Sequence, residues 1–319
     1  MFGRRATVAI GAMAVAAAVV LAAVLFRGEP ARQTGATPPQ VVVPTGTTAS
    51  SPPGDPVLVG AGDIAGCGSP GDEATATLLD GISGTVYTTG DNAYPNGSSS
   101  DYADCYNPTW GRHRARTRPA PGNHEYNTAG ATGYYGYFGT AAGDPTRGYY
   151  SYDLGAWHVV VINSNCSRVG GCQAGSAQET WLRADLTAST RRCTVAMWHH
   201  PLFTSGSNHE PATEMRPIYQ ALYDADADLV LSGHNHQYER FAPQNPGGAL
   251  DTVWGIREFV VGTGGASHYT FGTIQPNSEV RNSDTYGVLK LTLHRNGYDW
   301  QFVPQAGKTF TDSGSGGCH

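Results

Sequence analysis

Apolar residues along this chain fall into short unbroken runs that end on glycine, aspartate or histidine. Val57-Leu58-Val59 runs into Gly62-Asp63, and Thr85-Val86-Tyr87-Thr88 into Gly90-Asp91. Thr194-Val195-Ala196-Met197-Trp198 runs into His199, and Asp228-Leu229-Val230-Leu231 into Gly233-His234. Runs of this length closed by turn formers predict buried strands. Between them, residues 72–79, 177–186 and 215–223 read as helices; Trp181, Leu182 and Leu186 fall at helical spacing in the second. Strands alternating with helices predict a largely parallel sheet covered on both sides. Residues 157–162, 258–261, 286–293 and 298–303 alternate without long helices between them, which predicts antiparallel strands in a second sheet packed on the first. The expected fold class is α/β, with two packed mixed β-sheets flanked by helices.

Arg4 and Arg5 precede an uncharged apolar run over residues 6–26, closed by Arg27. This predicts a signal peptide or a signal-anchor transmembrane helix over residues 1–28. No convincing small-x-small cleavage site ends the run, which favours the anchor. Residues 29–55, rich in Pro, Thr, Gly and Ser, read as a spacer, and residues 56–319 as one catalytic domain. The domain is expected to be extracytoplasmic, membrane-anchored or secreted after cleavage. Cys67, Cys105, Cys166, Cys172, Cys193 and Cys318 then predict disulfides rather than thiol chemistry. Of fifteen possible connectivities, the expectation is Cys166–Cys172 closing a local loop, Cys67–Cys105 tying two site-bearing loops, and Cys193–Cys318 pinning the C-terminus.

Net charge is −6, and charged residues make up only 14% of the chain. The nearest approach to a basic patch, Arg112, His113, Arg114, Arg116 and Arg118, reads as a solvated helix face or loop. No nucleic-acid partner is expected.

Five blocks carry candidate chemistry: Gly62-Asp63, Gly90-Asp91-Asn92-Ala93-Tyr94, Gly122-Asn123-His124-Glu125, His199-His200-Pro201 and Gly233-His234-Asn235-His236. Their carboxylates, phenol, amide and imidazoles suit two hard or borderline cations held side by side. Most of the blocks follow strands, so the ligands are expected at strand carboxyl ends, where open α/β sheets bind. Each residue also has a plainer reading. An Asp after Gly usually forms a turn. His200 is expected to pack or hydrogen-bond rather than bind metal, Glu125 to orient a neighbouring ligand, and His113, His158, His268 and His319 to be structural or exposed. Gly60-Ala61-Gly62-Asp63-Ile64-Ala65 fits a dinucleotide fingerprint only formally, since Asp63 stands where phosphate would approach. Asp224, Asp226 and Asp228 lack the glycine of a calcium loop. The tail Ser313-Gly314-Ser315-Gly316-Gly317 reads as low complexity.

The five blocks together resemble the calcineurin-like metallophosphoesterases, and more closely their purple acid phosphatase branch, with a Tyr three residues after the second Asp at Tyr94. That branch usually has Gly at position 65, where this chain has Ala65. The resemblance implies a four-layer α/β/β/α sandwich. It implies a first metal held by Asp63, Asp91, Tyr94 and His236, with Fe3+ favoured by the phenol. It implies a second held by Asp91, Asn123, His199 and His234, occupied by Zn2+, Mn2+ or Fe2+. His124 would contact the phosphate or the leaving group, His209 would serve as general acid, and Tyr238 would line the pocket mouth. The expected activity is hydrolysis of a small phosphate monoester by a metal-activated hydroxide attacking in line. A phosphodiesterase or nucleotidase could use the same site, and a non-catalytic surface binding protein is a third reading.

Overall fold

The computed structural model describes residues 54–319, and the apolar leader and most of the spacer lie outside the described residues. In chain order the strands are β1 (Val57–Ala61), β2 (Thr85–Thr89), β3 (Thr117–Ala120), β4 (Tyr150–Leu154), β5 (Trp157–Val161), β6 (Cys193–Met197) and β7 (Leu229–Ser232). There follow β8 (Tyr238–Phe241), β9 (Arg257–Val261), β10 (Ser278–Asn282), β11 (Gly287–His294), β12 (Gly297–Pro304) and β13 (Ser313–Gly317). They form two mixed sheets, ordered β13-β12-β11-β1-β2-β3 and β10-β8-β9-β7-β6-β5-β4. The α/β class with two packed sheets and flanking helices is therefore observed. Among the described residues no helix is long and apolar enough to cross a membrane.

The expected distribution of strands needs correction. The four runs that lead into site blocks do not share one sheet: β1 and β2 pair in the first, β6 and β7 in the second. Residues 157–162 and 258–261 are not purely antiparallel additions, because β5 runs parallel to β6 and β9 parallel to β7. The reason lies in burial on both faces. Val159, Val195 and Leu229 enter the core between the sheets, whereas Val160, Ala196 and Val230 pack under helices Ala177–Ala188 and Arg216–Tyr223. A strand buried on both sides reads as a continuous apolar run whichever sheet it joins.

The helices start where their sequences allow. Ser176 caps helix Ala177–Ala188 by accepting the Glu179 N–H. Pro217 sits in the first turn of helix Arg216–Tyr223, where a missing N–H costs nothing. Helix Gly71–Asp80 packs against β11.

The Ser/Gly tail forms the edge strand β13 on β12. Its glycines are required by cover from the neighbouring strand: a Cβ at Gly314 would lie 2.4 Å from the Trp300 ring, and one at Gly316 2.5 Å from the Tyr298 ring. Aromatic rings of β12 thus supply the packing that the tail's own side chains lack.

All three disulfides form as expected. Cys67–Cys105, Cys166–Cys172 and Cys193–Cys318 are closed, and none of the six cysteines is free. The arginine cluster is largely spent internally. Arg112 bridges Glu73 and Asp80, Arg116 donates to the Gly84 and Leu79 carbonyls, and Arg114 lies over the Tyr137 ring.

Glu258 on β9 is fully buried and accepts from Ser232 Oγ at 3.0 Å. Burial pushes its carboxyl up from 4.5 to about 8. A raised folded-state value means the native protein holds a proton that the unfolded chain releases, so this residue's contribution to stability falls as pH rises from about 4.5 to about 8. Glu258→Gln should remove that dependence. In urea titrations at pH 5 and pH 8, the variant should lose less stability over the interval than the unsubstituted protein, by a few kcal/mol.

Candidate metal centre

Asp63, Asp91 and His234 each follow a strand and each adopts a left-handed backbone, with φ of 58°, 50° and 69°. Non-glycine residues there cost roughly 1–2 kcal/mol apiece, so the surroundings must hold them. They do so through the side chains themselves. Asp63 Oδ2 accepts the His234 N–H at 2.8 Å, and Asp91 Oδ1 accepts the His124 N–H at 2.8 Å. Two glycines make room for this. A Cβ on Gly122 would sit 2.1 Å from Asp91 Oδ1, and one on Gly233 2.6 Å from Asp63 Oδ2. Ala65, where glycine was the expected residue, fits without strain: its N–H donates to the Asn92 carbonyl and its carbonyl accepts from Tyr94.

Beneath the turns, buried Glu125 accepts from the backbone N–H groups of Asp91 (3.0 Å), Asn92 (2.9 Å) and Gly122 (2.6 Å), and from the Tyr102 hydroxyl (3.0 Å). It shapes the turns that carry Asp91 and Asn123 and does not itself face the site. The main chain also joins the two sheets here, with Gly62 N–H donating to the Val261 carbonyl at 2.9 Å.

The structure gathers all seven candidate ligands into two adjoining groups. In the first, Tyr94 Oη lies 3.0 Å from Asp63 Oδ1, 3.1 Å from His236 Nε2 and 3.3 Å from Asp91 Oδ2. His236 Nε2 is 3.2 Å from Asp63 Oδ1. In the second, His199 Nε2 lies 3.0 Å from Asn123 Oδ1, 3.1 Å from His234 Nδ1 and 3.2 Å from Asp91 Oδ2. Asp91 Oδ2 belongs to both.

With neutral imidazoles these contacts do not form a satisfied hydrogen-bond network. His199 Nδ1 donates to the Thr89 carbonyl at 2.8 Å and His236 Nδ1 to the Ser267 carbonyl at 2.5 Å. In the neutral rings this leaves both Nε2 lone pairs aimed inward, the usual way a protein presents metal-ligating histidines. Each then faces carboxylate or amide oxygens that are acceptors too. The phenol of Tyr94 has one proton for three acceptors. Crowded acceptors without donors are what a cation would relieve, and the donor set fits two cations sharing one carboxylate.

In the carboxylates' field a proton can supply the positive charge instead: burial opposes a charged His199, but Asp91 and Asp63 outweigh it and hold the imidazolium up to about 9, and its Nε2 is then a donor. Burial, followed by the neighbouring His199, presses His200 down to about 3. His234 is pushed well below its usual range by burial and by His199, His200 and His209. Burial and the nearby carboxylates push the Tyr94 phenol well above its ordinary value. A positive charge would reverse that last effect.

Around the ligands, His124 anchors Nδ1 on the Pro95 carbonyl at 2.6 Å and packs its ring 4.4 Å from that of Tyr94. Its Nε2 is 3.9 Å from Asp91 Oδ2, and the side chain is 31% exposed. His209 stacks on His234 at 3.8 Å, so the structure brings this isolated residue to the site. His200 turns Nδ1 onto Ser164 Oγ at 2.8 Å. Tyr238 is corrected: it is fully buried between the sheets and donates to Asp312 at 2.7 Å, because strand β8 directs it inward, away from any pocket mouth. The sequence did not disclose Tyr269, whose ring stacks on His236 at 3.9 Å. It comes from an irregular segment with no motif around it.

Known proteins are similar to this chain in sequence and in fold. Purple acid phosphatase 22 of Arabidopsis thaliana is 38% identical over 98 residues, 29% of this chain and 22% of the relative. Purple acid phosphatase 21 of the same plant is 32% identical over 165 residues, 44% of this chain and 37% of the relative. These matches cover well under half of the plant proteins' length. In fold, the chain resembles a purple acid phosphatase from yellow lupin (Lupinus luteus) seeds, with a TM-score of 0.62 at 20% identity, over 82% of this chain and 53% of that one. Residues 52–238, more than half of the sequence, match the calcineurin-like phosphoesterases, and the chain belongs to that family, with its similarity on the purple acid phosphatase side.

Proposed function

We propose that this chain is an exported dinuclear-metal phosphatase that hydrolyses small phosphate monoesters. The observation that carries the reading is Asp91 Oδ2, common to two groups of converging acceptors. Asp63, Asp91, Tyr94 and His236 would hold one cation, and Asp91, Asn123, His199 and His234 the other. Tyr94 favours a hard ferric ion in the first position, while the imidazole-rich second suits Zn2+, Mn2+ or Fe2+. When bound, the pair supplies an activated water and neutralises charge on the phosphoryl oxygens.

The chain's own residues complete the chemistry. His124 keeps Nε2 free at an exposed edge of the site, where it can bind a phosphoryl oxygen or hand a proton to the departing alkoxide. His209, fixed by its backbone N–H on Asn235 Oδ1 at 3.3 Å, stands on the other flank as a second proton donor. Export is supported by three closed disulfides, which persist in oxidising compartments. Internal use of the Arg112 and Arg116 guanidinium groups supports a small substrate over nucleic acid.

Three measurements test the proposal. Metal analysis of purified protein should give two ions per chain, and Asp91→Asn should lose bound metal and hydrolysis together, the latter by about a hundredfold or more; full activity in that variant rejects the assignment. If the first ion is ferric, Tyr94→Phe should abolish a visible absorption band without unfolding the protein. Nitrophenyl phosphate should be cleaved faster than bis-nitrophenyl phosphate; the reverse order makes the enzyme a diesterase.

A further inference from the structure

Beside the metal centre a cleft of about 560 Å3 opens from Asn123 and His200 towards Arg168. Its far side is built by the segment between β5 and helix Ala177–Ala188, which Cys166–Cys172 closes on itself. This segment is fixed to the ligand-bearing turn, because Asn165 Nδ2 donates to the Gly122 carbonyl at 3.2 Å, one residue before Asn123. Gln178 holds its start, accepting the Asn163 N–H at 2.9 Å and donating to the Asn163 carbonyl at 3.0 Å. Arg168 N–H donates to the Asn165 carbonyl at 2.8 Å, and Gly171 N–H to that of Cys166 at 2.8 Å. Arg168 therefore stands on a braced turn at a set position relative to Asn123.

Its guanidinium lies 5.8 Å from the centre of the Tyr126 ring. Tyr126 is itself held, its hydroxyl accepting from Asn163 Nδ2 at 2.7 Å. Arg112, Arg183, Arg191, Arg240 and Arg257 all meet carboxylates, but among the described residues no carboxylate oxygen comes within 4.0 Å of Arg168. Glu214 lines the same cleft without pairing with it. An exposed cation, braced by backbone bonds and facing a cleft that begins at a ligand, is placed to receive an anion.

We infer that Arg168 is a second anion-binding point, which takes a negative group on the leaving-group side of the substrate. This rests on the phosphatase reading above and deepens it: the preferred substrates are phosphoesters that carry an additional phosphate or carboxylate. The forked donors of a guanidinium match either group, and the Tyr126 ring supports its face. Glu214 repels anions elsewhere in the cleft, which confines the gain to the Arg168 side.

Two substrate pairs isolate the extra group. Fructose 1,6-bisphosphate against fructose 6-phosphate tests a phosphate, and phosphoserine against phosphoethanolamine tests a carboxylate. Metal-loaded protein should favour the more anionic member of at least one pair. Arg168→Ala should cut that preference about tenfold, through KM rather than kcat, with partial recovery in Arg168→Lys. The pair that responds names the source of the anion. Equal treatment of both pairs by the unsubstituted protein, or a preference indifferent to Arg168→Ala, overturns the inference. Failure of the phosphatase reading looks different, since no monoester would then be hydrolysed. Calorimetry still decides in that case: pyrophosphate should bind more tightly than phosphate, and Arg168→Ala should erase the difference.

Discussion

The site depends on one carboxylate with two distinct tasks. Asp91 Oδ1 is committed to the His124 N–H, which fixes the group's rotation, and Oδ2 is left between Tyr94 on one side and His199 on the other. Neither task survives a change in the chain beneath. Gly122 must lack a Cβ for Oδ1 to fit, and Glu125 must hold the Asp91, Asn92 and Gly122 amides in one arc. Burial, together with the charge of Asp91, raises Glu125's carboxyl, and the backbone donors Gly122 and Asn92 pull the other way. A buried carboxylate that is fully hydrogen-bonded stiffens what it touches; a half-satisfied one would be a liability. Glu125 thus acts on chemistry only through the geometry it imposes on Asp91 and Asn123.

Location follows from the two sheets. β1, β2 and β3 run parallel in one, and β5, β6, β7 and β9 run parallel in the other. Their middles are buried on both faces, so polar chemistry can emerge only at their ends. The carboxyl ends meet at the seam where Gly62 reaches Val261, so each sheet contributes part of the candidate ligand set. Asp63, Asp91 and Asn123 come from the first sheet, and His199, His234 and His236 from the second. A shared carboxylate bridging the two groups is then also a bridge between sheets.

What could be read from residues alone divides along physical lines. The convergence of the candidate ligand blocks was legible because glycine before Asp63 and Asp91 and the His234/His236 spacing are local requirements of a turn that presents donors. The two-sheet class and the helix at 177–188 were legible for the same reason: burial repeats at a fixed period. Sheet membership was not, since Val159 and Val195 look alike whether their neighbours are parallel or antiparallel. β13 was invisible because Gly314 and Gly316 carry no side chain, and their packing comes from Trp300 and Tyr298 on another strand. Tyr238 misled because its nearness in sequence to His236 says nothing about which face of β8 it occupies. Tyr269 reaches His236 only through tertiary structure.

The left-handed turns at Asp63, Asp91 and His234 together cost a few kcal/mol, a sizeable fraction of what a domain of this size has to spare. The fold tolerates them because the strain is concentrated where it is most strongly over-determined. Each strained residue is flanked by main-chain hydrogen bonds to another strand end: Asp63 N–H to Gly90, Ile64 N–H to Asp91, and Gly233 N–H to His199. Relaxing any one turn would break bonds that hold the next. Three turns that could each settle separately into lower-energy backbone conformations are thereby locked into a single arrangement, with their side chains already converged. Ordering of the candidate ligands is completed when the chain folds, so little reorganisation would oppose a cation bound there.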